Sequence, residues 1–352
     1  MMNIVEVNDD VIWILVSSFN CNDLAQGRLR ENIQLYIDKG IVTPKMLANQ
    51  TVVFNTLVEG HGNEEYEAAV VSIQSEPWFN RQNIIWLNNV IGDSQCQHIS
   101  LPWRMTDHCG FLKFVKSLDR NWKQSRTKDF VCLMRRPSES RAWISNKIKT
   151  KYNNDTYVMT FACMPIDSNV GTYWSDNNSD IKHTRYFLDK PATHEDQHLL
   201  DCSAVFDCLI NVIVETSNQL DAMTTSCWKS IFITEKTFKC FAWRQMPLWF
   251  AVPGTVKAVR SAGFDLFDDW IDHSYDSIQD QNLRFNLVFD QLDQMLIKIS
   301  QQGGIETVSW LLNERLHANW QRLQQLNHAS MKDFETAIQQ IKRFSLNKIL
   351  IV

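Results

Sequence analysis

The chain has 352 residues, of which 44% are hydrophobic, and a formal net charge of −5 at pH 7. This length exceeds one ordinary domain and suits two units that each bury a core. The slightly acidic balance argues against an extended basic surface for nucleic acid, although it leaves a local basic groove open.

The apolar runs and the cysteines predict a cytoplasmic protein without a transmembrane segment. No apolar run approaches the ~20 residues that span a bilayer. Glu6, Asp9 and Asp10 precede the apolar run at residues 11–16, whereas a signal peptide begins with basic residues. Nine cysteines, an odd number without a Cys-x-x-Cys pair, favour buried and reduced thiols.

Apolar runs in the first part of the chain predict an N-terminal α/β domain over residues 1–125. Strands are expected at 12–16, 51–57 and 84–87, with helices at 24–37 and 64–75 between them. This alternation is typical of a parallel sheet. The polar stretch 121–129 is expected to be the linker to a second domain.

A second α/β domain is predicted over residues 126–276, followed by a helical C-terminal segment over 277–352. Strands are expected at 130–134, 157–162, 209–214 and 247–252, and leucines recur at helical spacing after residue 277. We therefore predict an α/β fold of two Rossmann-like domains, with C-terminal helices that complete a core or brace the two domains.

Residues 231–239 carry the most informative pattern, an apolar run that ends in Thr234-Glu235-Lys236 at the start of a predicted helix. Helix N-termini present unpaired N–H groups and a positive dipole end, which suit anionic ligands. Glu235 can accept hydrogen bonds from sugar hydroxyls, and Lys236 or Lys239 can offset phosphate charge. On its own, the pattern is explained as well by Thr234 capping a helix whose charged residues face water.

Neighbouring elements strengthen the interpretation as a ligand site. Glu215 and Ser217 close the preceding apolar run, and Arg135 and Arg141 follow the predicted strand at 130–134. Ligands of open α/β sheets bind at the carboxyl ends of the strands, so these side chains are expected to converge on one crevice.

This order of residues resembles the donor-binding half of the α-1,3-fucosyltransferase family over about residues 129–272. There a strand ends in Glu-Asn-Ser, a Thr-Glu-Lys motif opens a helix, and a Val-Pro strand follows, matched here by Glu215 and Ser217, by Thr234-Glu235-Lys236 and by Pro247. Thr216 and Phe232 stand where the family usually has Asn and Tyr. The resemblance implies that Arg141 and Lys236 hold a donor diphosphate and that Glu235 binds the ribose. The other residues expected to contact the donor are Arg135, Glu215, Ser217, Thr234 and Lys239.

The resemblance further implies a GT-B-like glycosyltransferase that inverts the configuration at the anomeric carbon, with a GDP-sugar as the favoured donor. An acceptor hydroxyl, on a glycan or another molecule, would be bound on the side of the N-terminal domain. The chain has no Asp-x-Asp motif, which fits a site without metal or other cofactor. The base that takes the acceptor's proton is sought among Glu59, His61 and Glu76, each near a predicted strand end or loop.

Two other classes of function stay open. His194-Glu195-Asp196-Gln197-His198 fits the H-E-x-x-H pattern of zinc metallopeptidases. Pro191 and Thr193 indicate that a helix only begins there, so chance occurrence with helix capping is the favoured explanation. The chain could also be a catalytically silent relative that binds a glycan or nucleotide.

Overall fold

The structure is a computed structural model that describes residues 3–7, 11–15, 28–55, 71–88, 90–91, 98–103, 126–134, 139–161, 203–215 and 231–349. The described residues divide into two compact units. The first unit is drawn from residues 1–106, 222–233 and 326–352, and the second from residues 107–221 and 234–325. Each unit contains its own sheet.

The sheet of the first unit has five strands, of which the last four along the sheet are parallel. Its edge strand runs antiparallel to its neighbour and contains an irregularity between Ile4 and Glu6. In spatial order, the strands are β1 (Asn3–Val7), β2 (Val11–Leu15), β3 (Thr51–Asn55), β4 (Ile84–Asn88) and β6 (His98–Ser100). A separate two-stranded ribbon pairs β5 (Val90–Ile91) with β10 (Ile231–Phe232).

One face of this sheet is buried by helices that lie between β2 and β3 in the chain. Ile12, Val52 and Phe54 pack with residues of α1 (Arg28–Asp38) and α2 (Pro44–Asn49) in one apolar cluster. Since the parallel strands are arranged in chain order, right-handed crossovers between them bring their connections to the same face. The described residues of these connections pack on one face, and the opposite face is covered by another part of the chain.

That opposite face is covered from the far end of the chain. Val53 and Ile85 point away from the first cluster because successive side chains of a strand alternate. They pack instead with Ala337 and Ile341 of α9 (Asn313–Ile349). The C-terminal helix therefore completes the core of the first unit.

The sheet of the second unit has four strands, all parallel, in the order β8 (Tyr157–Phe161), β7 (Lys128–Met134), β9 (Cys208–Val214) and β11 (Met246–Phe250). Every residue of β9 and β11 is buried. Continuous apolar runs of this kind are typical of parallel strands that are covered on both faces.

Helices lie on both faces of the second sheet. On one face, Phe250 of β11 and Trp143 of α3 (Glu139–Lys151) both contact Phe289 of α7 (Gln281–Gln301). On the other face, the indole N–H of Trp249 donates to Thr237 of α5 (Glu235–Ala242) at 3.0 Å. Adjacent residues of one strand thus contact helices on opposite sides.

The other α-helices among the described residues are α4 (Ser203–Phe206), α6 (Thr255–Ser261) and α8 (Gly304–Leu311). The predictions of a mixed α/β chain with parallel sheets and a helical C-terminus are confirmed. The short edge strand β1 and the helix α2 were not predicted. Among the described residues, no helix combines the length and hydropathy needed to cross a bilayer.

Candidate functional site

The strand order of the second unit contains a point where the direction of winding reverses. From β7 the chain moves outward to β8 on one side, and later returns to β9 on the other side of β7. Ligands of open parallel sheets bind at such a switch point, outside the carboxyl ends of the strands. The relevant edge therefore lies beyond Met134 and Val214, the last residues of β7 and β9.

Glu215 is the residue that directly follows β9 at this edge, and it is 1% exposed. Its backbone N–H donates to the carbonyl of Phe250 at 3.1 Å, which ties it to β11. Its carboxylate accepts hydrogen bonds from the backbone N–H of Thr234 at 3.2 Å, from the Thr234 hydroxyl, and from the Thr237 hydroxyl at 2.7 Å. Most of the acceptor sites of this carboxylate are therefore occupied by the start of α5.

Thr234 is the N-cap of α5, as one of the sequence interpretations predicted. Its backbone is extended, and its hydroxyl oxygen accepts from the backbone N–H of Lys236 at 3.3 Å. The same oxygen lies 3.1 Å from the Lys236 Nζ, while the hydroxyl proton is donated to Glu215. One donor and two acceptor sites of the hydroxyl are thus all used.

Glu235 and Lys236 are the partly accessible members of the Thr-Glu-Lys motif. Their side chains are 19% and 23% exposed, and Lys236 Nζ lies 3.5 Å from Glu235 Oε1. Thr234, in contrast, is 2% exposed. A ligand that approaches this end of α5 therefore meets an ammonium and a carboxylate.

Two further predicted cations lie on the helices that begin at this edge. Arg141 is 6% exposed in the first turn of α3, which follows β7. Burial raises the pKa of the nearby Cys132 thiol to about 12, and the positive charge of Arg141 acts against that rise. Lys239 is buried on α5 four residues after Glu235, a spacing that puts both on one side of the helix.

The helix after β11 has its N-terminus occupied by a carboxylate of the chain itself. Asp276 accepts hydrogen bonds from the backbone N–H groups of Val256 and Lys257, each at 3.0 Å, at the start of α6. This carboxylate is not among the residues predicted from the sequence. Asp276 lies 20 positions after Val256, so no local capping pattern in the sequence predicts this contact.

Glu76, a candidate base, is described in the first unit. It forms an ion pair with Arg30 of α1, and its side chain is 12% exposed. The other candidate bases and several predicted site residues fall outside the described residues: Glu59, His61, Arg135, Ser217, His194, Glu195 and His198. Within the described ranges, no group of three or more His, Cys, Asp or Glu side chains could hold a metal ion.

The edge of the second sheet carries side chains of the types that contact phosphate and hydroxyl groups. Cations on α3 and α5 supply positive charge, and Glu235 supplies an acceptor for hydroxyl groups. We compared the chain with protein-family models, with curated proteins and with solved structures, and none of the three comparisons gives a match.

Proposed function

We propose that the chain is a metal-independent glycosyltransferase that binds a nucleoside-diphosphate sugar, with a GDP-sugar favoured, at the carboxyl edge of the second sheet. The observation that carries the proposal is the joint location of Arg141, Glu235 and Lys236. All three lie on helices that begin where β7 and β9 end, on either side of the switch point.

In this proposal, Arg141 and Lys236 bind the diphosphate. An arginine offers a rigid fork of donors that fits phosphate oxygens, and a lysine offers a compact charge. Their positions in the first turns of α3 and α5 add the favourable dipole ends of both helices. Lys239, in the last turn of this short helix, adds a third positive charge.

Glu235 binds the ribose in this proposal. Its carboxylate is partly accessible and adjoins Lys236, so a nucleotide whose diphosphate meets Lys236 brings its ribose hydroxyls close to Glu235. A carboxylate accepts such hydroxyl hydrogen bonds more strongly than a neutral oxygen does.

The reaction is the attack of an acceptor hydroxyl on the anomeric carbon of the bound sugar. A bond forms between the acceptor oxygen and that carbon, and the bond between the carbon and the diphosphate oxygen breaks. A base takes the hydroxyl proton, and the cations stabilise the negative charge on the leaving nucleoside diphosphate. Glu59, His61 and Glu76 are the candidates for the base that takes this proton.

A thermal-shift panel on the chelator-treated protein tests the proposal. A ligand that binds only the folded state raises the melting temperature by mass action. We expect one nucleoside diphosphate and its sugar derivative to raise the melting temperature more than the free nucleoside does. Release of nucleoside diphosphate from that sugar donor then establishes transfer or donor hydrolysis.

The possible outcomes separate the three classes of function. A nucleotide that binds without any turnover indicates a nucleotide-binding protein instead of an enzyme. A melting temperature that responds to no nucleotide, but rises with zinc, returns the assignment to the H-E-x-x-H motif.

A further inference from the structure

We propose that Glu215 is a positioning residue for the donor site, which acts on Lys236 through the hydroxyl of Thr234; this inference rests on the proposed nucleotide-binding function. The sequence predicted that Glu215 contacts the donor itself. In the structure, its carboxylate instead meets the first turn of α5.

The contacts form a short relay from a buried anion to an accessible cation. Glu215 Oε2 accepts the proton of the Thr234 hydroxyl. The oxygen of that hydroxyl lies 3.1 Å from Lys236 Nζ and so accepts from the ammonium. Because the hydroxyl donates its proton toward Glu215, its lone pairs point toward the backbone N–H and the Nζ of Lys236.

The anchor of the relay is rigid at both ends. Glu215 directly follows a fully buried strand, and its backbone N–H is bonded to the carbonyl of Phe250 on the adjacent strand. A second bond from Thr237, one turn further along α5, fixes the other carboxylate oxygen at 2.7 Å. The sheet therefore determines where the first turn of α5 lies.

A purely structural role explains less of this arrangement. A threonine at an N-cap satisfies a free N–H group of a helix without help from a carboxylate. Burying a carboxylate is costly, and here all its described hydrogen bonds end on the turn that carries Glu235 and Lys236. This cost is explained if ligand binding requires that the first turn of α5, with Glu235 and Lys236, is held in one position.

The substitution Glu215→Gln tests the relay because it keeps the size of the side chain. The amide oxygen of the glutamine can still accept from the backbone N–H of Thr234 and from the Thr237 hydroxyl. The NH2 group of the same side chain then faces the Thr234 hydroxyl. The Thr234 hydroxyl oxygen would then face three donors with only two lone pairs, since it already accepts from the backbone N–H and the Nζ of Lys236. Lys236 Nζ is the only one of these donors on a long flexible side chain, and it is displaced.

The experiment is a double-mutant cycle on the affinity for the nucleoside diphosphate selected by the thermal-shift panel, measured by calorimetry. We expect Glu215→Gln and Lys236→Ala each to weaken binding about tenfold, the size of one lost charge-assisted hydrogen bond. The double variant should bind no more weakly than Lys236→Ala alone, because both substitutions remove the same contact between Lys236 and the diphosphate. Asp293→Asn is the matched control. Asp293 lies on α7 and accepts a hydrogen bond from Tyr152, which follows the C-terminal end of α3, away from the proposed donor site.

The outcomes distinguish this inference from the proposed function. If Lys236→Ala weakens binding while Glu215→Gln does not, or if the two effects add, the donor site stands and the relay is overturned. If the wild-type protein binds no nucleoside diphosphate, both proposals fall. If Glu215→Gln does not fold, Thr234→Val decides: a loss equal to that of Lys236→Ala supports the relay, and unchanged affinity overturns it.

Discussion

The carboxylate of Glu215 accepts hydrogen bonds from both the backbone N–H and the hydroxyl of Thr234, although the two residues are 19 positions apart. This relationship joins the carboxyl end of a central strand to the N-cap residue of α5, the next described helix of the unit. It accounts for the burial of Glu215, and it leaves Glu235 and Lys236 as the groups that a ligand can reach.

Thr237→Val should lower the free energy of unfolding of the second unit by about 1–3 kcal/mol, the cost of leaving buried polar groups unsatisfied. Thr237 is fully buried, donates to Glu215 and accepts from the indole of Trp249. Valine has nearly the same shape but lacks the hydroxyl. Urea unfolding measures the change.

The control for this prediction is Thr307→Val. Thr307 is exposed on α8 and its hydroxyl donates to the carbonyl of Gly303, so its loss should change stability by less than about 0.5 kcal/mol. Equal effects of the two substitutions would show that the buried contacts of Thr237 contribute nothing particular.

Arg141→Ala should weaken the binding of nucleoside diphosphates about ten- to a hundredfold, the equivalent of about 1.5–3 kcal/mol for a hydrogen bond to a charged group. The free nucleoside should bind the variant as it binds the wild type, because it has no phosphate for Arg141 to meet. Calorimetric titration with both ligands checks this, and equal losses for the two would locate Arg141 away from the diphosphate.

Glu235→Ala should weaken the binding of a ribonucleoside diphosphate about ten- to a hundredfold, because the ribose hydroxyls lose a charged acceptor. A 2′,3′-dideoxy nucleoside diphosphate lacks both hydroxyls, and its affinity should be the same for variant and wild type. The comparison of the two ligands by calorimetry isolates the ribose contact. A loss that is the same for both ligands would argue that Glu235 acts elsewhere.

The stability of the second unit should fall as the pH decreases below about 6.5, the usual pKa of histidine. Burial lowers the pKa of His273, whose Nε2 donates to the Leu266 carbonyl at 2.9 Å when Nδ1 accepts from Tyr275. Below the unfolded pKa, the unfolded chain binds a proton that the folded chain does not bind. The free energy of unfolding therefore decreases until the pH reaches the folded pKa.

His273→Gln is the variant that checks this pH dependence, because glutamine can supply both hydrogen bonds without titrating. Urea midpoints at pH 7.5 and pH 5.5 should differ less for the variant than for the wild type. The bonds from Arg315 hold the pKa values of Asp265 and Asp269 low, so these carboxylates lose their contribution only in more acidic solution. Identical pH dependence in variant and wild type would exclude His273 as its source.

Ile341→Ala should destabilise the first unit by about 2–5 kcal/mol, the usual cost of such a cavity in a core. Ile341 is fully buried and packs with Val53 and Ile85 on the sheet face that α9 covers. Hydrogen exchange should then rise in β3 and β4. Met331→Ala, a partly exposed position on the same helix, is the control, and comparable effects at both positions would contradict the packing described.

The apolar runs of the sequence predicted most of the parallel strands, because a strand covered on both faces needs such a run. They did not predict β1, a five-residue edge strand that pairs antiparallel and is interrupted by an irregularity. The helical spacing of residues after 277 predicted that one side of each helix is buried. It could not show that Ala337 and Ile341 pack on the first sheet, because periodicity identifies a buried face and not its partner.

The candidate site was predicted in part for a similar reason. A threonine before a helix is a local signal, and the predicted cap at Thr234 is confirmed. Glu215 at a strand end has the same appearance in sequence whether it meets a ligand or a helix of its own chain. Only the distances to Thr234 and Thr237 distinguish the two, and those residues lie 19 and 22 positions away.

The measurement that tests the central claim most directly is calorimetric titration of the chelator-treated protein with GDP and with other nucleoside diphosphates. The account predicts saturable binding of one of them to the wild type, at least about tenfold weaker binding to Lys236→Ala, and unchanged binding to Lys128→Ala. Lys128 is the matched control because it begins β7, at the opposite edge of the same sheet. Binding that is equal in all three proteins, or absent from the wild type, would contradict a donor site at the start of α5.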